Sequence, residues 1–505
     1  MMTIPGSMGT RALPRIKRTY MRPRIVAFIP AHNEEKSIQD CLTGLKEQVL
    51  PSGVELDVFV VADNCTDRTE EVAKETGEEL GLSIEIIVTE NNKQRKVGAL
   101  NAVWKAIYGD NMDIYEMERT DFEIAYQRSV KGILGMDADS RLAPRALQHL
   151  WDGLMSSRNI GGVMAKYTMR MPKKKSLLSK DDPYYEEKLA SGEYGGPMSR
   201  WWTHQQKQDM ASWLLSLQYR GGSTYVLGGQ ATLFRPEALY EVMQSNKLDG
   251  PWQNDTDVED MLLTWQLQKK GWKTLISPNA RCFVDAMRSY HTFRNQRVKW
   301  SSGTVNLLTD RDLMMKTRHT GHLWRSQLKT MMDLLVRVFF VLLLGAAIAT
   351  DQFLWSWVWV IPIALASVLN TILALKTPMH RPIDVILAFL LISPELYLWV
   401  NLMTFAQVWT EKLSNDKKDG WANQYQAEAG KTRSKLLQGV LAALLFISIA
   451  VFACYYFRDY LTSEAVQQAT KPYLMAGWIG LTGLTVFMSF IMIYQIWTLR
   501  TRHRA

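Results

Sequence analysis

Cysteine is nearly absent. The 505-residue chain has four, Cys41, Cys65, Cys282 and Cys454, and none falls at the short spacings that hold zinc. A disulfide framework is excluded, and free thiols in a reducing compartment are the expectation. Histidine is sparse too, with eight residues and no metal-ligand spacing. There is no Walker-type glycine loop and no internal repeat. The N-terminus lacks the apolar core of a secretory signal, so the first part of the chain is expected to stay where it is made. Net acidity is also missing, the formal charge being +9. The basic residues gather in the N-terminal tail (Arg11, Arg15, Lys17, Arg18, Arg22), at Lys316, Arg318, Arg325 and Lys329, and at Arg500, Arg502 and Arg504. Basic clusters flanking apolar blocks follow from the positive-inside rule and from anionic lipid. A membrane partner accounts for the charge, and nucleic acid is not expected.

Long apolar runs are missing before Met332 and frequent after it. Leu334–Thr350, Trp355–Leu375, Ile383–Trp409, Leu436–Tyr456 and Tyr473–Trp497 are each long enough to approach or cross a bilayer core. The mean hydropathy of -0.14 averages two unlike halves and decides nothing. Pro394 and Glu395 interrupt Ile383–Trp409, and a net-basic loop follows at 410–435. A full crossing there would place that loop and the basic C-terminus outside, against the charge bias. The expectation is four spans plus a kinked re-entrant or interfacial segment at 383–409. Arg337 and Glu395 are the charges to watch within these blocks, able to line a polar path or to pair with each other or with backbone. Residues 310–332 are basic and amphipathic, as in a helix lying on the cytosolic interface.

The first half alternates. Arg24–Pro30, Leu56–Ala62, Ile84–Val88 and Gly132–Met136 are short apolar runs with the profile of buried parallel strands. Helical patterns separate them around Ser37–Gln48, 68–80 and after Lys96. This predicts an α/β fold with a doubly wound, mostly parallel sheet, its ligands at the carboxyl ends of the strands. Pro30, Asp63 and Asp137 all fall there. Two stretches break the rhythm: Met112–Val130, read as an insertion, and Met171–Met198, read as a lid or disordered loop.

Asp137-x-Asp139 at a strand end offers two hard oxygen ligands for Mg²⁺ or Mn²⁺, although such tripeptides also occur as plain solvated turns. Asp63 can accept hydrogen bonds from a base or ribose, or serve as a turn residue. Val258-Glu259-Asp260 opens a helix, where the positive end of the helix dipole favours a carboxylate. Asp255 and Asp257 are rival acids nearby. Gln296, Lys299 and Trp300 follow, close to the first apolar block.

In order, Ile29-Pro30-Ala31-His32-Asn33-Glu34-Glu35, Val61-Ala62-Asp63-Asn64-Cys65-Thr66-Asp67, Lys96-x-Gly98-Ala99-Leu100-Asn101, Asp137-x-Asp139, Val258-Glu259-Asp260 and Gln296-x-x-Lys299-Trp300 resemble the motifs of inverting family-2 glycosyltransferases. The apolar blocks behind them are similar to the membrane-integrated branch that includes hyaluronan, chitin and cellulose synthases. The resemblance implies a GT-A-like fold and a set of roles. Asp63, Lys96, Asp137, Gln296, Lys299 and Trp300 would bind the nucleotide sugar. Asp139 and Asp137 would hold the metal, Mg²⁺ or Mn²⁺. Asp260 would be the general base, with Glu259 beside it. Gly229, Gln230 and Trp300 would meet the acceptor. There are two departures. Lys299 stands where the motif has Arg, giving charge without a planar fork, with Arg294 or Arg297 available to compensate. Val258 stands where a hydroxyl residue is commoner.

The implied organisation is a basic tail at 1–23, a cytosolic GT-A-like domain at 24–309, an interfacial helix at 310–332 and a transmembrane domain at 333–505. The implied product is a polysaccharide built from a UDP-sugar and extruded through the protein's own membrane domain. The same motifs serve relatives that glycosylate a lipid acceptor, and a non-catalytic membrane scaffold is the remaining alternative. The implied setting is a multi-pass protein of the cytoplasmic or plasma membrane, with a second copy or accessory export proteins as further partners.

Overall fold

The structure is a computed structural model, which describes residues 22–109, 121–171, 173–174, 194–195, 197–218, 224–287, 289–310, 320–377, 380–414, 420, 422–423 and 436–501. Two compact units emerge. One holds Met1–Met171, Ser216–Ala286 and Asn306–Thr320; the other holds Pro172–Leu215, Met287–Val305 and Gly321–Ala505.

The first unit is built on the alternation read from the sequence. Strand β1 (Arg24–Ala31), helix α1 (Ile38–Lys46), β2 (Glu55–Asp63), α2 (Thr69–Leu80), β3 (Ile84–Thr89) and α3 (Arg95–Tyr108) come first. Next are α4 (Asp121–Ser129), β4 (Val130–Gly135), β5 (Arg141–Leu142), α5 (Ala146–Met155) and β6 (Ile160–Met169). The strands of this unit form one sheet in the order β3-β2-β1-β4-β9-β6-β10-β5, where β9 is Thr232–Phe234 and β10 is Lys273–Val284. Pairs β1–β2, β1–β4, β2–β3 and β6–β10 are parallel. Short β9 lies antiparallel between β4 and β6, so the doubly wound half gives way to a mixed sheet. β1 is buried almost throughout, as a central parallel strand covered on both faces must be.

Arg24 shows what such burial requires of a charge. It is 2% exposed and its guanidinium donates to both oxygens of buried Asp57. Tyr126 Oη donates to the same carboxylate at 2.9 Å. This ties the tips of β1 and β2 to α4, within the stretch read as an insertion; residues 112–120 of that stretch lie outside the described residues. Most of the expected lid at Met171–Met198 lies outside them as well. Its described parts include two two-residue strands, β7 (Lys173–Lys174) and β8 (Tyr194–Gly195), which pair in parallel.

The second unit is helical. It holds most of α6 (Pro197–Gln218), which the sequence reading did not foresee, and most of α9 (Tyr290–Thr309). Between these two in the chain lie α7 (Pro236–Asn246) and α8 (Glu259–Lys269) of the first unit. A single helix, α10, runs Thr320–Ala349 through the boundary expected at 332/333. It is followed by α11 (Val360–Lys376), α12 (Pro382–Phe389), α13 (Ile392–Leu413), α14 (Leu436–Tyr456), α15 (Arg458–Leu461) and α16 (Glu464–Thr501). Among the described residues, Leu323–Ala349, Trp357–Lys376 and Glu464–Tyr494 are long and apolar enough to cross a membrane. The pair α12 and α13, bent by 67°, would make a fourth if it counts as one span. The bend falls ahead of Pro394, at Leu390–Leu391, where Leu391 takes φ 58°. Pro394 lies in the first turn of α13, where its missing N–H costs nothing. Arg337 and Glu395 do meet, at 3.4 Å.

Candidate active site

The strand ends of the first unit are shaped by asparagines. Asn33, Asn64 and Asn91 take positive φ, a region that Asn tolerates better than other side chains with a Cβ. Asn33 Oδ1 accepts from Thr66 N, and Asn64 exchanges hydrogen bonds with the backbone of Asn92. The loops after β1 and β2 lock further through Glu34 N to Thr69 Oγ1 and Glu35 N to Asp67 Oδ2. Between them Asp63 is 4% exposed and its Oδ1 accepts from Thr89 Oγ1 at 2.6 Å and Asn92 Nδ2 at 2.8 Å. Both bonds fall on one oxygen, which fixes the carboxylate plane. A Cβ at Gly98 would collide with the Asn92 amide. The glycine of the Lys96-x-Gly98 motif is therefore required by the residue that orients Asp63.

Lys96 stands in the first turn of α3. Its Nζ lies 2.5 Å from Asp137 Oδ1 and 3.7 Å from Glu259 Oε1. Burial pulls its pKa down, but Asp137, Glu259 and Asp260 outweigh that and hold the ammonium charged, well above the ordinary lysine range. Asp260 moves the other way. Burial, then the charge of Glu259, push its carboxyl up to about 7, against the pull of Lys96 and the Met261 N–H. The Met261 amide donates to Asp260 Oδ1 at 2.7 Å, and Thr264 Oγ1 bonds the Asp260 carbonyl, anchoring the first turn of α8. A pocket is lined by Pro30, Lys96, Leu100, Met136, Gly229, Trp252, Glu259 and Asp260. Asp255 and Asp257 are absent from its walls.

Gly229 was expected on the acceptor side. A Cβ there would press on Lys96 Nζ and sit 3.3 Å from Asp137 Oδ1, so the backbone at 229 closes directly over the lysine–aspartate pair. Gln230 is beside it, with its Oε1 buried and without a hydrogen bond. Trp252 was missed by sequence reading. Its backbone N and O are both bonded by the Asn101 side chain, and its ring packs on Phe28 and Phe234. Asn101 closes the Lys96-x-Gly98-Ala99-Leu100-Asn101 motif, so that motif also builds the aromatic wall of the pocket.

The Asp137–Asp139 loop is held from behind. Arg170 Nη2 donates to the Asp139 carbonyl at 3.3 Å, Nε donates to Asp285 at 2.9 Å, and Nη1 bonds Asp40, which Arg141 also grips. Burial, then Asp137, Glu34 and Asp285, push the Asp139 carboxyl well above its usual range. Acid exceeds base around this loop. Cys41 donates to the Asp137 carbonyl, and Cys41 and Cys282 are buried free thiols whose pKa values burial raises. Cys65 and Cys454 are free as well.

Gln296, Lys299 and Trp300 lie on α9 in the second unit. Lys299 is 5% exposed, and Gln296 Oε1 is buried without a partner. The two proposed compensators are committed elsewhere. Arg297 is buried, its guanidinium 4.5 Å from the Trp300 ring, 4.9 Å from Phe293 and 5.7 Å from Tyr397. Arg294 bonds Gln407. The same unit contains the polar run Thr203 to Asp209 of α6, buried throughout. Several of its side chains have specific partners: His204 and Lys207 on Asp384, Gln205 on the Ser393 carbonyl, and Gln206 on both backbone groups of Met287, while Gln205 Oε1 and Asp209 Oδ2 are buried without one.

A mostly parallel α/β sheet with acids at two strand ends, a lysine between them and an acid pair opening a helix is the arrangement of a GT-A-like glycosyltransferase. Residues 26–239, less than half of the chain, match the model of Glycosyl transferase family 2. It is 24% identical over 285 residues to "Probable glycosyltransferase YdaM" of Bacillus subtilis, covering 56% of this chain and 55% of the relative. It is 22% identical over 296 residues to "Poly-beta-1,6-N-acetyl-D-glucosamine synthase" of Staphylococcus aureus (strain COL), covering 58% of each. The match thus spans little more than half the length of these relatives. Among solved structures, the mannosyltransferase PcManGT from Pyrobaculum calidifontis, in complex with GDP-Man and Mn²⁺, is similar at 16% identity. That match covers 78% of this chain and 88% of the other, with a TM-score of 0.41.

Proposed function

We propose that the chain is an inverting glycosyltransferase that moves a sugar from a UDP-sugar to the growing end of a polysaccharide and passes the product through its own membrane helices. The observation that carries this reading is the charge arrangement in the pocket. Lys96 is held between Asp137 and Glu259, and Asp260 is a carboxyl titrating at about 7 in the same pocket. A lysine kept charged opposes the negative charge that grows on a departing diphosphate. A carboxylate matched to neutral pH is suited to take the proton of an attacking hydroxyl. Attack opposite the leaving group in one displacement inverts the anomeric centre and needs no covalent nucleophile. Asp63, oriented by Thr89 and Asn92, would take the uracil or ribose, and Trp252 would back the sugar.

The residues fit a divalent metal. Asp137 and Asp139 are hard oxygen donors in a loop where acid exceeds base. No group of three or more His, Cys, Asp or Glu side chains set to hold a metal occurs among the described residues. The protein would supply two carboxylates, leaving other positions to phosphate oxygens and water. Mg²⁺ or Mn²⁺ bound there would neutralise charge on the diphosphate. Gln296, Lys299 and Trp300 keep the nucleotide-sugar role that the motif implies, with Trp300 also on the acceptor. The similarity to a poly-β-1,6-N-acetylglucosamine synthase supports a polymeric product, and the three apolar helices support a membrane setting. The test is to incubate the purified, detergent-solubilised protein with a panel of labelled UDP-sugars and size the product. A high-molecular-weight smear is expected. A single lipid-extractable species would move the acceptor assignment to a lipid, and turnover unaffected by chelator would remove the metal.

A further inference from the structure

Lys166 on β6 and Arg281 on β10 are partners across a parallel strand pair, a position where like charges repel. The register that sets them opposite one another is not inherited from the rest of the ladder. It is re-established after an irregularity between Ile276 and Arg281, where Ser277 Oγ accepts from the Ala280 N–H at 3.2 Å. A break of this kind re-aims the side chain that follows it. Both cations are partly buried, and among the described residues neither has an acid, a hydrogen bond or an aromatic face to offset its charge. Arg281 Nη1 is fully buried with no partner, and so is Oγ1 of Thr168, two residues along β6 from Lys166. Burial, then the charge of Arg281, lower the Lys166 pKa to about 8.

Two like charges, one with an orphaned donor, form a costly arrangement unless something negative completes it. We infer that Lys166, Arg281 and Thr168 form a binding site for an oxyanion, a phosphate or a carboxylate group, apart from the Lys96–Asp137 pocket. The guanidinium supplies a planar fork, the ammonium a point charge and the hydroxyl a third donor. Such a group would come from free phosphate or from an acidic sugar.

The full-length chain in detergent is melted in sodium phosphate, sodium glucuronate and sodium chloride at matched ionic strength. The buffer is held near neutral pH, where a lysine titrating at about 8 is mostly charged. One of the two oxyanions is expected to raise the midpoint over chloride by about 2–4 °C. Lys166→Met removes the repulsion, so it should melt no lower than the wild type in chloride and lose the oxyanion response. Arg281→Gln should lose the response as well. A response to phosphate alone assigns a phosphate group, and a response to glucuronate alone assigns a carboxylate. No response in the wild type, or a full response in Lys166→Met, overturns the site.

Discussion

Arg170 donates to the backbone carbonyl of Asp139, while its other nitrogens are taken by Asp285 and Asp40. One guanidinium therefore ties β6, the loop after β10 and α1 to the back of the Asp137–Asp139 turn. If that turn presents a metal, Arg170 acts as the support that keeps two carboxylates at a fixed separation. Support groups behind metal ligands are worth about 10–100-fold in affinity or activity. Arg170→Gln is expected to raise the Mn²⁺ concentration needed for half-maximal turnover by about tenfold. Arg170→Lys should recover part of the loss. Measuring turnover against metal concentration decides it; an unchanged midpoint with lowered kcat would mean that Arg170 supports the fold and not the turn.

Gly98 and Asp63 are linked through a single side chain. A methyl group at 98 would displace Asn92, and Asn92 donates to the carboxylate of Asp63. Gly98→Ala should therefore weaken UDP binding, by about the worth of one hydrogen bond to a charged group, 1.5–3 kcal/mol. Asn92→Ala should do the same by another route, and the double variant should be no worse than either. Calorimetry with UDP provides the check. Additive losses would show that the two residues act independently.

Asp260 has a stability cost that its proposed role explains. A carboxyl raised to about 7 is favoured in its protonated form by the fold. Its contribution is fully present below the unfolded value near 4 and is lost as pH rises through about 7. Asp260→Asn should thus melt higher than the wild type at alkaline pH, with the difference vanishing in acid. The same substitution should lower transfer by a factor on the order of 10²–10⁴ while UDP still binds. In the wild type kcat/KM should rise with an apparent pKa near 7. Wild-type-like turnover in Asp260→Asn would remove the base assignment.

The parts of this arrangement that were legible in sequence are those with a local signal. β1, β2 and β4 are short, largely apolar runs, and Asp63 and Asp137 follow from where β2 and β4 stop. Asp260 was preferred over Asp255 and Asp257 because it opens a helix, and it is Asp260 that lines the pocket. What escaped notice depends on partners distant in the chain. Trp252 is a pocket wall only because Asn101, on another helix, bonds its backbone. Helix α6 hides because Thr203 to Asp209 has no apolar face; its burial is made possible by partners such as Asp384, Ser393 and Met287. Arg297 read as a spare cation for phosphate, although Phe293 and Trp300 at i−4 and i+3 on the same helix were a local signal of its surroundings; Tyr397, the third ring, is distant in the chain.

That cage makes a last prediction about the second unit. Arg297 is 7% exposed and attracts Asp209, whose carboxyl burial pushes up while Arg297 and Gln205 pull it down. Gln205 donates to Asp209 Oδ1, but Oδ2 is buried without a partner. The Asp209 carboxyl stands well above its ordinary range on balance, so Arg297→Leu removes an attraction to a largely protonated acid and the cation from three rings, a loss on the order of 1–3 kcal/mol. Asp209→Asn alone should cost less, because the rings of Phe293, Trp300 and Tyr397 still face the guanidinium. Arg297→Leu combined with Asp209→Asn should recover the part of the single-variant loss that comes from the attraction to Asp209, since an amide has no charge for the cation to offset. Unfolding of the three variants in detergent gives the coupling directly. Strict additivity would show that Arg297 is held by its aromatic neighbours alone and that Asp209 is paired elsewhere.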